Sequence, residues 1–208
     1  MASAPPLTLV IDSASPACSV ALIRGRELLA EAHEVVGRGH AERLVPMIQG
    51  LLAGRRPDAL LVDCGPASFT GVRVGLAAAQ GLRIGWGLAL AGYSSTSLLA
   101  AAADRQPGAS VAVALQGGHG QLFVQTFGDD PLRPLDALAS LTPADAAAAV
   151  GEEVVIGSGA AALIAARGWG EAREGELRAA DARLLPDALK ALPPRPIYGR
   201  APDAKLPA

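Results

Sequence analysis

Residues 59–75 read Ala59-Leu60-Leu61-Val62-Asp63-Cys64-Gly65-Pro66-Ala67-Ser68-Phe69-Thr70-Gly71-Val72-Arg73-Val74-Gly75, and they decide the fold. Ala59 to Val62 is a short unbroken apolar run, the pattern of a buried strand. Gly65, Pro66, Ser68 and Thr70 then supply turn and capping chemistry, with Ser68 or Thr70 placed to accept from the first amides of the helix that follows. That helix is expected from Thr70 to roughly Gly85. The loop looks like a phosphate cradle, but a phosphate-binding loop carries a lysine before its terminal Ser/Thr, and here there is none.

Upstream of this unit, Leu7 to Ile11, Ser19 to Ile23 and Glu27 to Val35 read as three successive strands, the last two joined by a tight turn at Arg24-Gly25-Arg26. The period then changes. Leu44, Met47, Ile48, Leu51 and Leu52 recur at helical spacing, so a helix is expected over His40 to Leu52, with Pro46 forcing a kink or a later start. Downstream, Leu88 to Gly92 is a strand and Ser95 to Ala103 a helix. Three strands in a meander, followed by alternating helices and strands, give a mixed sheet, antiparallel at first and parallel afterwards. This order resembles the ribonuclease H-like arrangement of the actin, sugar-kinase and Hsp70 superfamily.

From Ser110 the pattern restarts in reduced form: strand Ser110 to Leu115, turn Gly117-Gly118-His119-Gly120, strand Gln121 to Phe127. Helices are expected near Pro143 to Val150, Ala160 to Ala166 and Asp181 to Leu192, and a strand at Val154 to Ile156. Residues 128–139 are turn-rich and carry no clear period. The expected organisation is a two-lobed α/β chain, with an N-terminal lobe over residues 1–105, a reduced C-terminal lobe over 106–192, and an extended proline-rich tail over 193–208.

The 208 residues are half hydrophobic, enough for a sizeable core. No uninterrupted apolar run approaches membrane-spanning length, and the first residues lack a basic region followed by an apolar one, so a cytoplasmic protein is expected. Cys18 and Cys64 form neither a disulfide framework nor a CxxC pair and read as small buried residues. A net charge of −2 and 3% aromatic residues argue against direct gripping of nucleic acid, which needs basic patches and stacking platforms.

Catalytic patterns fail one by one. A serine nucleophile elbow requires Gly-x-Ser-x-Gly, whereas Ser68 sits in Gly65-Pro66-Ala67-Ser68-Phe69 and reads as a helix cap. His33 and His119 have no ligand at metal-binding spacing. A nucleotide site of the actin-like superfamily would draw on a hairpin loop from each lobe. Asp12, Ser13 and Ser15 could serve in the first, although Asp12, at a strand end, reads rather as a residue capping its own loop, because Asp commonly bonds nearby backbone amides. The second, Leu115-Gln116-Gly117-Gly118-His119-Gly120, supplies no carboxylate.

Four separated motifs resemble the TsaB (YeaZ-like, glycoprotease-like) family of bacterial tRNA threonylcarbamoyladenosine biosynthesis proteins, and the resemblance extends over nearly the whole chain. They are Leu9-Val10-Ile11-Asp12-Ser13-Ala14 with Cys18-Ser19-Val20-Ala21-Leu22, His40 with Leu44-Val45-Pro46-Met47-Ile48, the loop and helix from Gly65 to Gly75, and Pro196-Ile197-Tyr198-Gly199-Arg200. The resemblance implies a non-catalytic partner of a TsaD-like transferase, which modifies the adenosine beside the anticodon in tRNAs reading ANN codons, working with a TsaE-like ATPase. It implies no intrinsic cofactor, ATP/ADP and metal on the partner subunits, and tRNA met only indirectly. A TsaD-like metal site would place a second histidine four residues after His40, where this chain has Leu44. Gln116, Gly117 and Gly118 depart from the Asp-Ala-Arg usual in the family. The rival expectation is a metallopeptidase or ATP-dependent phosphotransferase of the actin-like fold.

Gly71, Gly75 and Ala79 form a small-residue stripe on the second helix. Glycine costs about 1 kcal/mol relative to alanine inside a helix, so the stripe needs a compensating close contact, either with the protein's own sheet or with another subunit. The resemblance implies assembly through the first two helices with a TsaD-like subunit or a second copy. Its interface candidates are His40, Leu44, Met47, Leu51, Val72, Arg73, Leu76 and Arg83.

Overall fold

The computed structural model describes residues 4–104, 106–129 and 131–199. Two mixed sheets organise it. The first contains β1 (Leu7–Asp12), β2 (Ala17–Arg24), β3 (Glu27–Val35), β4 (Ala59–Asp63) and β5 (Ala89–Tyr93) in the order β3-β2-β1-β4-β5. β1, β2 and β3 pair antiparallel, whereas β4 and β5 add in parallel. Parallel neighbours need crossovers, and α1 (His40–Leu52) and α2 (Phe69–Trp86) supply them. The strand order is that of the ribonuclease H-like fold, as the meander followed by alternating elements implies.

The second sheet runs β11 (Glu171–Arg173), β10 (Val154–Ile156), β6 (Val111–Gln116), β7 (Leu122–Gly128) and β8 (Arg133–Pro134), and β9 (Ala139–Leu141) also pairs with β7. α3 (Ser95–Ala102) lies between the sheets in sequence, while α4 (Pro143–Ala149) and α5 (Ala160–Arg167) belong to the second. Among the described residues, no helix is long and apolar enough to cross a membrane.

Several elements depart from the sequence expectation. Pro46 neither delays nor ends α1, which runs continuously from His40. The missing amide would have met the carbonyl of Glu42, and both residues are exposed, so water can take its place. The expected helix over Asp181 to Leu192 is instead two 3-10 turns, Ala179–Leu184 and Asp187–Lys190, because Pro186 interrupts it. The turn-rich stretch contains β8 and the start of β9, and β11 carries no periodic signal at three residues.

The chain beyond β11 returns to the first sheet. Ala179, Ala180 and Ala182 join the core around Val20, Leu22 and Leu44, and the Ala179 amide donates to Ser19 Oγ at 2.9 Å. Arg178 meanwhile bonds Glu31 on β3 at 3.1 Å. β3 is one of the two outer strands of this sheet, and Glu27, Glu31 and Glu34 space three carboxylates along it. Of the expected tail, residues 193–199 form no regular element, and 200–208, with Arg200 of the closing motif, lie outside the described residues.

Candidate functional site

The carboxyl ends of β1, β4 and β5 converge, as parallel register requires. Ile11 pairs with Val62, and Asp63 with Tyr93, so Asp12, Asp63 and Tyr93 meet in the interior. Both carboxyls are 1% exposed. Asp12 Oδ1 accepts from the Ala14 amide at 3.1 Å, and its Oδ2 accepts from Tyr93 Oη at 3.0 Å. Asp63 Oδ1 accepts from the Gly65 amide at 2.6 Å, and Ser95 Oγ donates to both Asp63 oxygens at 2.8 Å. Burial pushes both carboxyls above the usual range, and for Asp63 the charge of Asp12 adds to it. The side-chain hydrogen bond between the two carboxyls raises Asp63 further and lowers Asp12, so Asp63 is the one of the pair that favours the protonated form more. Burial likewise drives the Tyr93 hydroxyl well above its ordinary value.

This cluster is a hydrogen-bonded seam at the carboxyl ends of the strands. Asp12 caps its own loop, one of the two readings open from the sequence, and it also receives the tyrosine hydroxyl. Ser13 is equally buried: its Oγ donates to the Gly71 carbonyl at 2.8 Å. Ser15 is partly exposed, and its carbonyl accepts from Nε2 of buried His40 at 2.8 Å. The side chains of Asp12 and Ser13 are thus engaged within the fold. In the second sheet, the Gln116 amide donates to Ser158 Oγ at 3.0 Å, and Gly118–Gly120 form a 3-10 turn.

The glycine stripe resolves in favour of the protein's own sheet. A Cβ on Gly71 would collide with the Ser13 backbone carbonyl, and one on Gly75 would stand 2.5 Å from Ser13 Oγ. Ala79 is fully buried in the same row. The inward face of α2 is consequently Gly71, Val72, Gly75, Leu76 and Ala79. Val74, Ala78 and Leu82, which could have served as that face, are only partly covered.

That orientation corrects most of the interface candidates. Leu44 is 0% exposed, and Leu51, Val72 and Leu76 are also core residues, because each faces the sheet beneath its helix. His40 is turned inward to the Ser15 carbonyl. Met47 is partly exposed, and only Arg73 and Arg83 of the eight stand in solvent. Arg73 is spoken for locally: its guanidinium lies 3.6 Å from the centre of the Phe69 ring and donates to Tyr198 Oη at 3.0 Å.

Between α1 and α2 a different set forms a groove, floored by the buried Ile48 and Leu52. Val45, Ile48, Gln49, Leu52, Ala78, Gly81, Leu82 and Trp86 line a groove of about 320 Å³ between the helices. On the same helices Ile84 is 80% exposed, Phe69 59% and Val45 48%. Ala78 and Leu82 in this groove belong, with Val74, to a second apolar stripe of α2, and periodicity does not say which of the two stripes turns inward.

Comparison with known proteins adds identity to this geometry. Residues 32–130 match the family model described as "TsaD: tRNA N6-adenosine threonylcarbamoyltransferase". The chain is 38% identical over 122 residues to the tRNA threonylcarbamoyladenosine biosynthesis protein TsaB of Escherichia coli, covering 55% of this chain and 52% of that protein. It is 42% identical over 101 residues to the protein of the same name from Haemophilus influenzae, covering 46% and 42%. The chain thus spans about half the length of the curated relatives it matches, less than the nearly full extent the motifs imply. In three dimensions the likeness carries further. YeaZ from Pseudomonas aeruginosa superposes with a TM-score of 0.76 at 28% identity, over 92% of this chain and 99% of that one. A second Pseudomonas aeruginosa structure, described as similar to peptidase YEAZ, gives 0.77 at 29% identity over 93% and 99%. In sequence and in fold, the chain resembles TsaB and YeaZ proteins.

Proposed function

We propose that this protein is an accessory subunit in tRNA threonylcarbamoyladenosine biosynthesis, a non-catalytic partner of a TsaD-like transferase acting on tRNAs that read ANN codons. In this reading the protein is cytoplasmic and tRNA is met through the complex. Nucleotide and metal belong to the transferase and to a TsaE-like ATPase. The similarity to TsaB proteins supports the pathway. The observation that carries the partner role is the pairing of a sealed strand-end cluster with an open apolar face on α1 and α2. Asp12, Ser13 and Asp63 are consumed by internal bonds, while Val45, Ile84 and the Trp86 groove remain uncovered, as apolar surfaces that meet partners commonly are.

The same face would receive either a TsaD-like subunit or a second copy, and the two would compete for it. Reconstitution of the modification with and without this chain tests the role. Val45→Glu and Ile84→Glu test the surface, since both side chains are exposed and their replacement leaves the core intact. The expected result is lost association and lost stimulation of the transferase with an unchanged melting temperature. Full stimulation by the double variant would refute the proposed surface, and modification that proceeds equally without the chain would refute the role.

A further inference from the structure

The segment that follows the last 3-10 turn crosses from one sheet to the other. Leu192 forms a single bridge with Gly92 at the end of β5, with N–H to carbonyl distances of 2.7 and 3.0 Å. The Ile197 amide donates to the Cys64 carbonyl at 2.8 Å, just beyond β4. Tyr198 lies over Arg73 on α2, 5.9 Å from guanidinium to ring centre. Gly199 then meets the second sheet: a Cβ there would stand 2.5 Å from the ring of Phe123 on β7. Pro193, Pro194 and Pro196 remove three amides from this stretch, so it cannot pair as a full strand. Its hold rests on a few separate bonds and one exposed cation–aromatic stack.

We propose that residues 192–199 form a releasable clamp between the two sheets, which detaches as a unit while both sheets stay folded. Release uncovers Cys64, whose Sγ lies 3.7 Å from the Pro193 carbonyl oxygen, together with the face of Phe123 that Gly199 covers. The clamp does not depend on what covers α1 and α2, and its test needs no partner.

The two cysteines make the test internal to the molecule. Cys18 lies in β2 beneath α1, with its Sγ 3.9 Å from the His40 carbonyl oxygen, and is freed only when the first sheet itself opens. Labelling by an aromatic disulfide reagent, with each site quantified by peptide mass spectrometry, reads the population of each open form when reclosing is fast. In the native full-length protein Cys64 labels ahead of Cys18. Tyr198→Ala removes the stack and raises the Cys64 rate roughly two- to fivefold, with Cys18 unchanged. Gly199→Val, which sets a side chain against Phe123, raises the Cys64 rate in the same selective way, and Tyr198→Phe gives a smaller rise. Equal rates for both thiols in the native protein would overturn the clamp. So would a rise shared by Cys18, or no change at Cys64 in Tyr198→Ala and Gly199→Val.

Discussion

Asp12 and Asp63 share a side-chain hydrogen bond that raises Asp63 and lowers Asp12, and their other bonds come from neutral donors: the Ala14 and Gly65 amides, the Tyr93 hydroxyl and the Ser95 hydroxyl. A buried carboxylate without a cation is tolerable only when its lone pairs are filled and its neighbour stays neutral.

Asp63→Asn tests this assignment. Its amide can donate to Asp12 while its oxygen accepts from Gly65 and Ser95, reproducing the protonated acid. Asp63 is held above its unfolded value of 3.8, so its proton favours the folded state fully below that pH, and the benefit drains away as pH rises through the folded value. The asparagine cannot ionise. Its stability relative to wild type should therefore grow from about pH 4 upward and level off past the folded value, as measured by urea unfolding at several pH values. Asp63→Ala should instead lose ~1–3 kcal/mol, the cost of stranded buried partners.

Glycine substitutions along α2 should separate by face. Gly71→Ala drives a methyl into the Ser13 backbone, and Gly75→Ala crowds its hydroxyl, so each should cost about 1–3 kcal/mol or more. Gly81 has nothing within 4 Å of its missing Cβ, and Gly81→Ala should stabilise by roughly 0.5–1 kcal/mol. Thermal unfolding of the three variants measures both signs.

Truncation should sort the interface candidates in the same way. Leu44→Ala and Leu76→Ala should cost about 2–5 kcal/mol by leaving cavities. Val45→Ser and Ile84→Ser should stay within about 0.5 kcal/mol of wild type, which denaturant melts resolve, and only the second pair can report on association free of unfolding.

Trp86 lines the groove and Trp169 is half exposed, so the variant Trp169→Phe leaves one emitter at the proposed surface. Titration with a TsaD-like subunit should shift its emission to the blue as the indole leaves water. An unshifted spectrum at saturation would place the partner elsewhere.

How much of this was legible follows from the range of each interaction. Ala59 to Val62, the 3.6-residue recurrence from Leu44 to Leu52 and the capping serine at 68 are local signals, and the elements they indicate are present. The contact between Gly71 and Ser13, and that between Asp12 and Asp63, depend on the register of β1 against β4, which no local pattern encodes. The stripe could be seen, but α2 carries two apolar stripes, and only the backbone approach of Ser13 chooses between them. The region from Asp181 to Leu192 has helical composition, yet Pro186 outweighs it. The prolines of the tail indicate an extended path without saying that it touches Gly92, Cys64 and Phe123.

The row of carboxylates on β3 has a consequence for crowding. An outermost strand offers unpaired amides and carbonyls to any neighbouring chain, and a second copy pairing there would have to accommodate the charged side chains of Glu27, Glu31 and Glu34. Glu34 is engaged by Arg43 and Glu31 by Arg178, so this edge carries charged, ion-paired side chains of the kind that blunt edge-to-edge pairing. A strand added at this edge would have to displace or bury those ion pairs before its backbone could bond.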